Sequence, residues 1–427
     1  MTSATRAQPL RAYGQVVAGL SRNVKLYLAC SLLRAAALSV FELFFNLYLL
    51  SMGYDAAFIG VANTLLGIAS LASALPAGLI ADRIGRKRAM LIGLSGLLVT
   101  RLGIVLVRPG WAIMAFFVAY GVLAPLLMTS VAPFLTENST DEQRAIVFTL
   151  DSSGMNLAWS LSAIGGGYLP GLLAGLLRVG PESATAYRSV LLLGALGLSL
   201  SFVPLLMVRV GARRAAAPAA PRVHATRHLG RRFSNPARMA QLVAPRLFFS
   251  FGAGLFFPFL TLFFKERFAV PDATLGWIVG VTSAIAVPTV LAGGAAAGRL
   301  GKIRTAFLSR MISTPLLLLI GLAPSLPVAV AAHWIRGGFM RLGQPLYLSF
   351  AMEQLDERER ATGSSLLTMG WDSGWSLGPL VGGLVQARVG FTPLILTTAA
   401  LYAVGLALIY LFFDPLHRQT ETSASSD

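Results

Sequence analysis

The chain has 427 residues, of which 55% are apolar and only 12% charged, with a mean hydropathy of +0.69. A water-soluble chain of this length needs far more charge to cover its outside, so a soluble globular protein is excluded. The formal net charge is +17, and Cys30 is the single cysteine, which excludes an intramolecular disulfide and a thiolate metal cluster.

Met1 to Lys25 is polar and basic, without the apolar core of a signal peptide. The first apolar run is too long for a cleaved signal region, so helix 1 is expected to stay in the membrane. Apolar runs then recur at 26–51, 56–80, 88–107, 111–135, 145–177 and 187–208. A second set follows at 242–264, 274–297, 304–322, 327–351, 362–386 and 391–413. Each reaches or approaches the ~20 residues that cross a bilayer. Backbone polar groups cannot be left bare in lipid, and barrel strands would be shorter and alternating, so the runs read as helices. The expected fold is an all-α membrane protein, with twelve transmembrane helices in two pseudo-symmetric six-helix bundles. The bundles are 1–208 and 242–427, the second with a short cytoplasmic tail; a cytoplasmic linker rich in Arg, Ala and Pro, 209–241, joins them.

The positive charge falls in alternate loops. Arg6, Arg11, Arg22 and Lys25 precede the first span, and Arg83, Arg86, Lys87 and Arg88 follow the second. Arginines from Arg209 to Arg238 fill the middle segment, and Arg299, Lys302 and Arg304 follow the eighth span. The other loops hold little beyond Arg108, Arg178, Arg188, Lys265, Arg267 and Arg388. This positive-inside asymmetry places both termini of a multi-pass inner-membrane protein in the cytoplasm. It also accounts for the basic balance without a nucleic-acid partner.

The halves are copies at an offset of 216 positions. Arg144-Ala145 meets Arg360-Ala361, Gly154 meets Gly370, and Asn156 meets Asp372. Trp159-Ser160-Leu161 meets Trp375-Ser376-Leu377, Gly166-Gly167 meets Gly382-Gly383, and Gly85 meets Gly301. An even number of helices per copy gives both the same orientation, as in transporters with parallel repeats.

Between spans 2 and 3 runs Gly78-Leu-Ile-Ala-Asp82-Arg83-Ile-Gly85-Arg86-Lys87-Arg88. With the helix count, repeat and topology, it closely resembles the loop 2–3 signature of the major facilitator superfamily, of bacterial type. The resemblance implies a secondary transporter that works by alternating access, with a small-molecule substrate and a site between the halves. It also implies a monomer in the lipid bilayer and a proton or cation gradient in place of a cofactor. By the same resemblance, Asp82 sits at the start of helix 11 near Thr362, Gly363 and Ser364 and favours the state closed to the cytoplasm. Gly298 stands where a second such acid would map, so one strong latch is expected. Glu137, Asp141 and Glu142, with Glu353, Asp356, Glu357 and Glu359, are placed to pair with the basic loops. Gly378-Pro379…Gly382-Gly383 resembles the element that antiporters of the family carry on helix 5, here on helix 11 instead. Helix 4 lacks the arginine of the family's drug–proton antiporters.

Ionisable residues inside a span are costly and are functional candidates by default. Helix 1 carries Arg34, Glu42 and Asn46, with Glu42 among Phe41, Phe44 and Phe45. Glu42 is read as a proton or cation site, or alternatively as a structural partner of Arg34 or of another helix. Asp372 lies between Trp371 and Trp375, a grouping that suits an aromatic or cationic ligand, a proton, or structural hydrogen bonding. Helix 10 carries His333, Arg336, Arg341 and Gln344; Arg341 needs an anion, whether Asp372, Glu42 or a substrate. Asn156 on helix 5 joins Asn46, Gln344, Arg336 and the two Trp residues as cavity candidates. Asp151 is expected at the cytoplasmic gate, and Arg101 is expected to snorkel to the outer surface. No nucleophile elbow, phosphate loop or paired-His motif supports an enzyme or a metal site.

The leading expectation is proton-coupled efflux of an amphipathic or cationic small molecule. The alternatives are uptake or exchange of an anionic metabolite or sugar-like solute, and a non-transporting receptor or scaffold on the same fold.

Overall fold

The computed structural model describes residues 17, 19–209, 234–414 and 416. Most of the linker expected at 209–241 therefore lies outside the described residues, as does nearly all of the tail. The described residues form twelve long helices and no strand. They are α1 (Arg22–Ser51), α2 (Ala56–Ile84), α3 (Arg86–Leu106), α4 (Gly110–Glu137), α5 (Asp141–Leu177) and α6 (Ala184–Met207). The second set is α7 (Pro236–Phe268), α8 (Asp272–Leu300), α9 (Lys302–Leu322), α10 (Leu326–Glu353), α11 (Arg360–Val389) and α12 (Phe391–Phe413).

Ten of these helices are long and apolar enough to cross a membrane among the described residues. The two outside that group are α10 and α11, which carry His333, Arg336, Arg341 and Gln344 on one and Asp372 on the other. Large apolar side chains point outward, among them Leu176 and Leu411 at 72% and 73% exposure. Such faces suit lipid and would be a liability in water.

Local chemistry sets the helix ends. Ser21 caps α1 by accepting from the Val24 N–H at 3.3 Å, and Thr140 with Gln143 forms a capping box on α5. Asn235 accepts from the Arg238 N–H at 2.9 Å and Pro236 takes the first turn, so α7 starts ahead of the span expected from residue 242. The links α2–α3 and α8–α9 are each a single glycine, Gly85 at φ +90° and Gly301 at φ +85°. Only glycine adopts that backbone without strain.

The chain divides into two compact units. Unit 1 comprises Met1–Gly53, Ile68–Ala217 and Pro271–Ser283, and unit 2 comprises Tyr54–Gly67, Pro218–Val270 and Ala284–Asp427. Unit 1 thus includes the first part of α8, packed on α5, and unit 2 the first part of α2, packed on α11. The packing is backbone against backbone. A Cβ on Gly276 would collide with the Ala163 carbonyl oxygen, and one on Gly60 with that of Pro379. These two contacts are related by the 216-position offset of the sequence repeat. Small residues allow such approach where side chains would hold helices apart. The core of unit 1 gathers Tyr27, Leu94, Phe134 and Leu198; that of unit 2 gathers Phe249, Phe307, Tyr347 and Tyr402.

Candidate functional site

In unit 1 the charge on α1 is answered from α3. Arg101 Nη2 donates to Glu42 Oε1 at 2.7 Å and lies 3.4 Å from the Tyr120 hydroxyl. Its guanidinium stacks 4.1 Å from the centroid of the Phe41 ring. Arg101 is buried, with 4% of its side chain exposed, whereas Glu42 is 49% exposed. The expectation that Arg101 snorkels outward is therefore corrected: the Glu42 carboxylate holds it inside the unit. Arg34 does not join this pair. It is buried on α1 with Nη2 3.9 Å from the Met155 sulfur, and it interacts electrostatically with Asp151, which accepts from the Ser31 hydroxyl at 2.6 Å. Asn46 is half-buried, and Asn156 donates to the Ser152 carbonyl at 2.8 Å.

The signature loop is held by local pairs within unit 1. Asp82 binds Arg86 at 2.5 Å, and Arg86 Nε lies 3.6 Å from Glu137. Lys87 Nζ donates to the carbonyls of Leu206 and Val208 at 2.7 Å each, tying α3 to the end of α6. Arg83 follows Asp82 in the last turn of α2. Gly78 has nothing within 4 Å of the position a Cβ would take. The second copy answers in kind: Lys302 pairs with Glu353 at the positions equivalent to Arg86 and Glu137. Glu137 and Glu353 thus each close an ion pair inside their own unit.

Unit 2 collects arginines. Arg246 of α7 is buried; its Nε donates to the Leu367 carbonyl at 3.1 Å and its guanidinium lies 5.5 Å from the Trp371 ring. Among the described residues no protein acceptor takes its two terminal nitrogens. Asp372, one residue beyond Trp371, is exposed and interacts electrostatically with Arg246 without closing to an ion pair. Trp375, a turn further on, is 41% exposed. Arg341 is half-buried and Gln344 exposed on α10. Arg336 is buried, donates to the Tyr402 hydroxyl at 3.3 Å and stacks 4.3 Å from the Phe257 ring. Phe257 is the repeat equivalent of Phe41, so each unit stacks a guanidinium on the same aromatic position.

Two arginines escape a reading for mid-span charges. Arg246 and Arg310 fall inside the apolar runs 242–264 and 304–322. The rule that singles out Arg336, an ionisable residue inside an apolar run, applies equally to both.

The sequence profile of the Major Facilitator Superfamily matches residues 27–251 and 246–427. The chain belongs to the major facilitator superfamily. A gallate transporter from Pseudomonas putida is 32% identical over 178 residues, 40% of this chain and 37% of that relative's length. The nucleoside transporter NupG shares the fold at a TM-score of 0.72 with 15% identity, over 94% of this chain and 100% of that one. The human organic anion transporter MFSD10 does so at 0.60 and 18% identity, over 91% of this chain and 99% of that one. This superfamily member is thus a multi-pass membrane transporter and not an enzyme, as its sequence led one to expect. The twelve-helix, two-bundle architecture expected from the sequence agrees with the same comparisons.

Proposed function

We propose that this transporter carries an organic anion with an aromatic ring across the bacterial inner membrane, coupled to protons, with both termini cytoplasmic. The observation that carries the reading is Arg246. Its guanidinium is fixed by Leu367 and Trp371, its terminal nitrogens are left open, and Asp372 stands beside it. A planar guanidinium with two open N–H groups matches a carboxylate bidentately, and the neighbouring Trp371 and Trp375 faces match a ring. Asp372 competes with a substrate carboxylate for Arg246. A proton on Asp372 removes that competitor, which couples anion entry to proton entry. Arg341 and Gln344 on α10 are further candidates for the polar lining, and Asn46 and Asn156 for that of unit 1.

The cationic-efflux reading has less support. Its acid, Glu42, is already held by Arg101 at 2.7 Å, so a cation would have to displace a buried guanidinium. The gallate transporter adds to the anionic reading, because gallate is an aromatic carboxylate.

Proteoliposomes with an alkaline interior test the proposal, using gallate and benzoate against a panel of cationic dyes. Gallate should accumulate. Arg246→Ala should raise its KM by roughly 10–100-fold, the size of one charge-assisted contact. Asp372→Asn should still bind the anion yet lose pH-driven accumulation. Transport of the dyes, undiminished in Arg246→Ala, would overturn the proposal.

A further inference from the structure

Deeper in unit 2 lies a second cluster that the substrate reading does not use. Among the described residues, six buried side-chain atoms on α9 and α10 have no hydrogen-bond partner: Arg304 Nε in the first turn of α9, and, further along the two helices, Arg310 Nε and Nη1, Ser313 Oγ, His333 Nδ1 and Arg336 Nε. Arg310 and Ser313 are three residues apart on α9, as are His333 and Arg336 on α10, so each pair shares one helix face. The two helices pack against each other and run antiparallel through a short connection at Ala323–Ser325. Counted back from that connection, the four residues fall within about two turns of the same depth. Arg310 interacts electrostatically with Arg336 as well as with Arg246, and Arg336 with His333, which places the groups in one neighbourhood that adjoins Arg246.

We propose that α9 and α10 enclose a resident site for a small inorganic anion of chloride size, held by Arg310, Ser313, His333 and Arg336. The surroundings orient the donors and leave their charge unanswered. Arg310 stacks 4.1 Å from the Phe249 ring and Arg336 stacks on Phe257, and Tyr402 accepts one Arg336 N–H. The Tyr347 hydroxyl is committed to the Leu242 carbonyl at 2.8 Å. Among the described residues no carboxylate pairs with either guanidinium. Cation–π contact offsets only part of the cost of burying such a charge, and unanswered buried donors call for an ion or water. Two guanidinium charges among N–H and O–H donors select an anion. Arg310, Ser313, His333 and Arg336 are 2%, 0%, 3% and 3% exposed, so the ion is enclosed, unlike a ligand at the exposed Asp372 edge.

The test uses the purified full-length protein in detergent. Sodium gluconate is replaced stepwise by sodium chloride, and in a second arm by sodium nitrate, at constant ionic strength. The thermal midpoint should rise with the logarithm of chloride concentration above the Kd, reaching about 3–5 °C at a hundredfold excess. Arg310→Met should remove that rise. If it does not fold, labelled-chloride binding decides: wild type should bind saturably and Ser313→Ala about tenfold more weakly. Saturating gallate should leave the labelled chloride in place. The proposal is overturned if wild type shows neither a chloride-dependent midpoint nor saturable binding, or if Arg310→Met keeps the full response. Displacement of chloride by gallate would also overturn it, because the anion would then occupy the substrate site.

Discussion

Arg101 on α3 and Glu42 on α1 meet at 2.7 Å, and the two sides of the pair see different surroundings: the guanidinium is buried, the carboxylate half-exposed. Removing either partner therefore leaves a different residue behind. Glu42→Ala strands a buried cation, whereas Arg101→Met leaves a carboxylate that water can reach. Thermal melts in detergent should show Glu42→Ala the more destabilising by about 1–3 kcal/mol. Equal losses would show that the pair is not buried in the asymmetric way described.

The signature glycines differ in kind. Gly85 sits at φ +90° and ψ 147°, where a side chain costs about 1–3 kcal/mol, so Gly85→Ala should lower the midpoint by that equivalent. Gly78 lies inside α2 with open space at its Cβ position. Gly78→Ala should be neutral or stabilising by up to ~1 kcal/mol. Gly301→Ala should mirror Gly85→Ala, since its backbone is at φ +85°.

Gly60 and Gly276 work through contact and not through backbone angle. Each stands against a carbonyl oxygen, of Pro379 and Ala163 respectively, which has no room to yield. Gly60→Val and Gly276→Val should each depress transport by tenfold or more, while Gly294→Val, with nothing within 4 Å of its Cβ position, should not. Initial rates of gallate uptake at matched protein density would measure this.

Arg86–Glu137 and Lys302–Glu353 are partly exposed pairs at equivalent places in the two units. Each should contribute less than ~1 kcal/mol, falling further as salt is raised. A double-mutant cycle with Glu137→Gln and Arg86→Gln, read by thermal midpoint at low and high salt, should return a small coupling that salt removes. The Lys302→Glu/Glu353→Lys swap should melt close to wild type.

At Arg246 a conserved charge is not enough. Lysine offers one point charge, with neither the Nε bond to Leu367 nor a plane to lie on Trp371. Arg246→Lys should therefore raise the KM for gallate nearly as far as Arg246→Ala, with little change in thermal midpoint.

Much of this protein could be read along the chain, because a bilayer acts on it as a nearly one-dimensional filter. Run length marked the spans, and a constant offset marked the repeat that reappears in Gly85 with Gly301 and in Gly60 with Gly276. Family membership followed from the signature around Asp82. Partners could not be read that way. Glu42 sits 59 positions from Arg101, and no local pattern distinguishes Arg101 from Arg34 as its mate. Nor does hydropathy reveal that Arg310 and Arg336 crowd together while Asp372 stands by Arg246. Which charge meets which depends on helix rotation and on packing between helices far apart in the chain. Those are set by the shapes of Phe41, Phe249, Phe257 and Trp371 and by close glycine contacts, and they exist only once the helices are assembled.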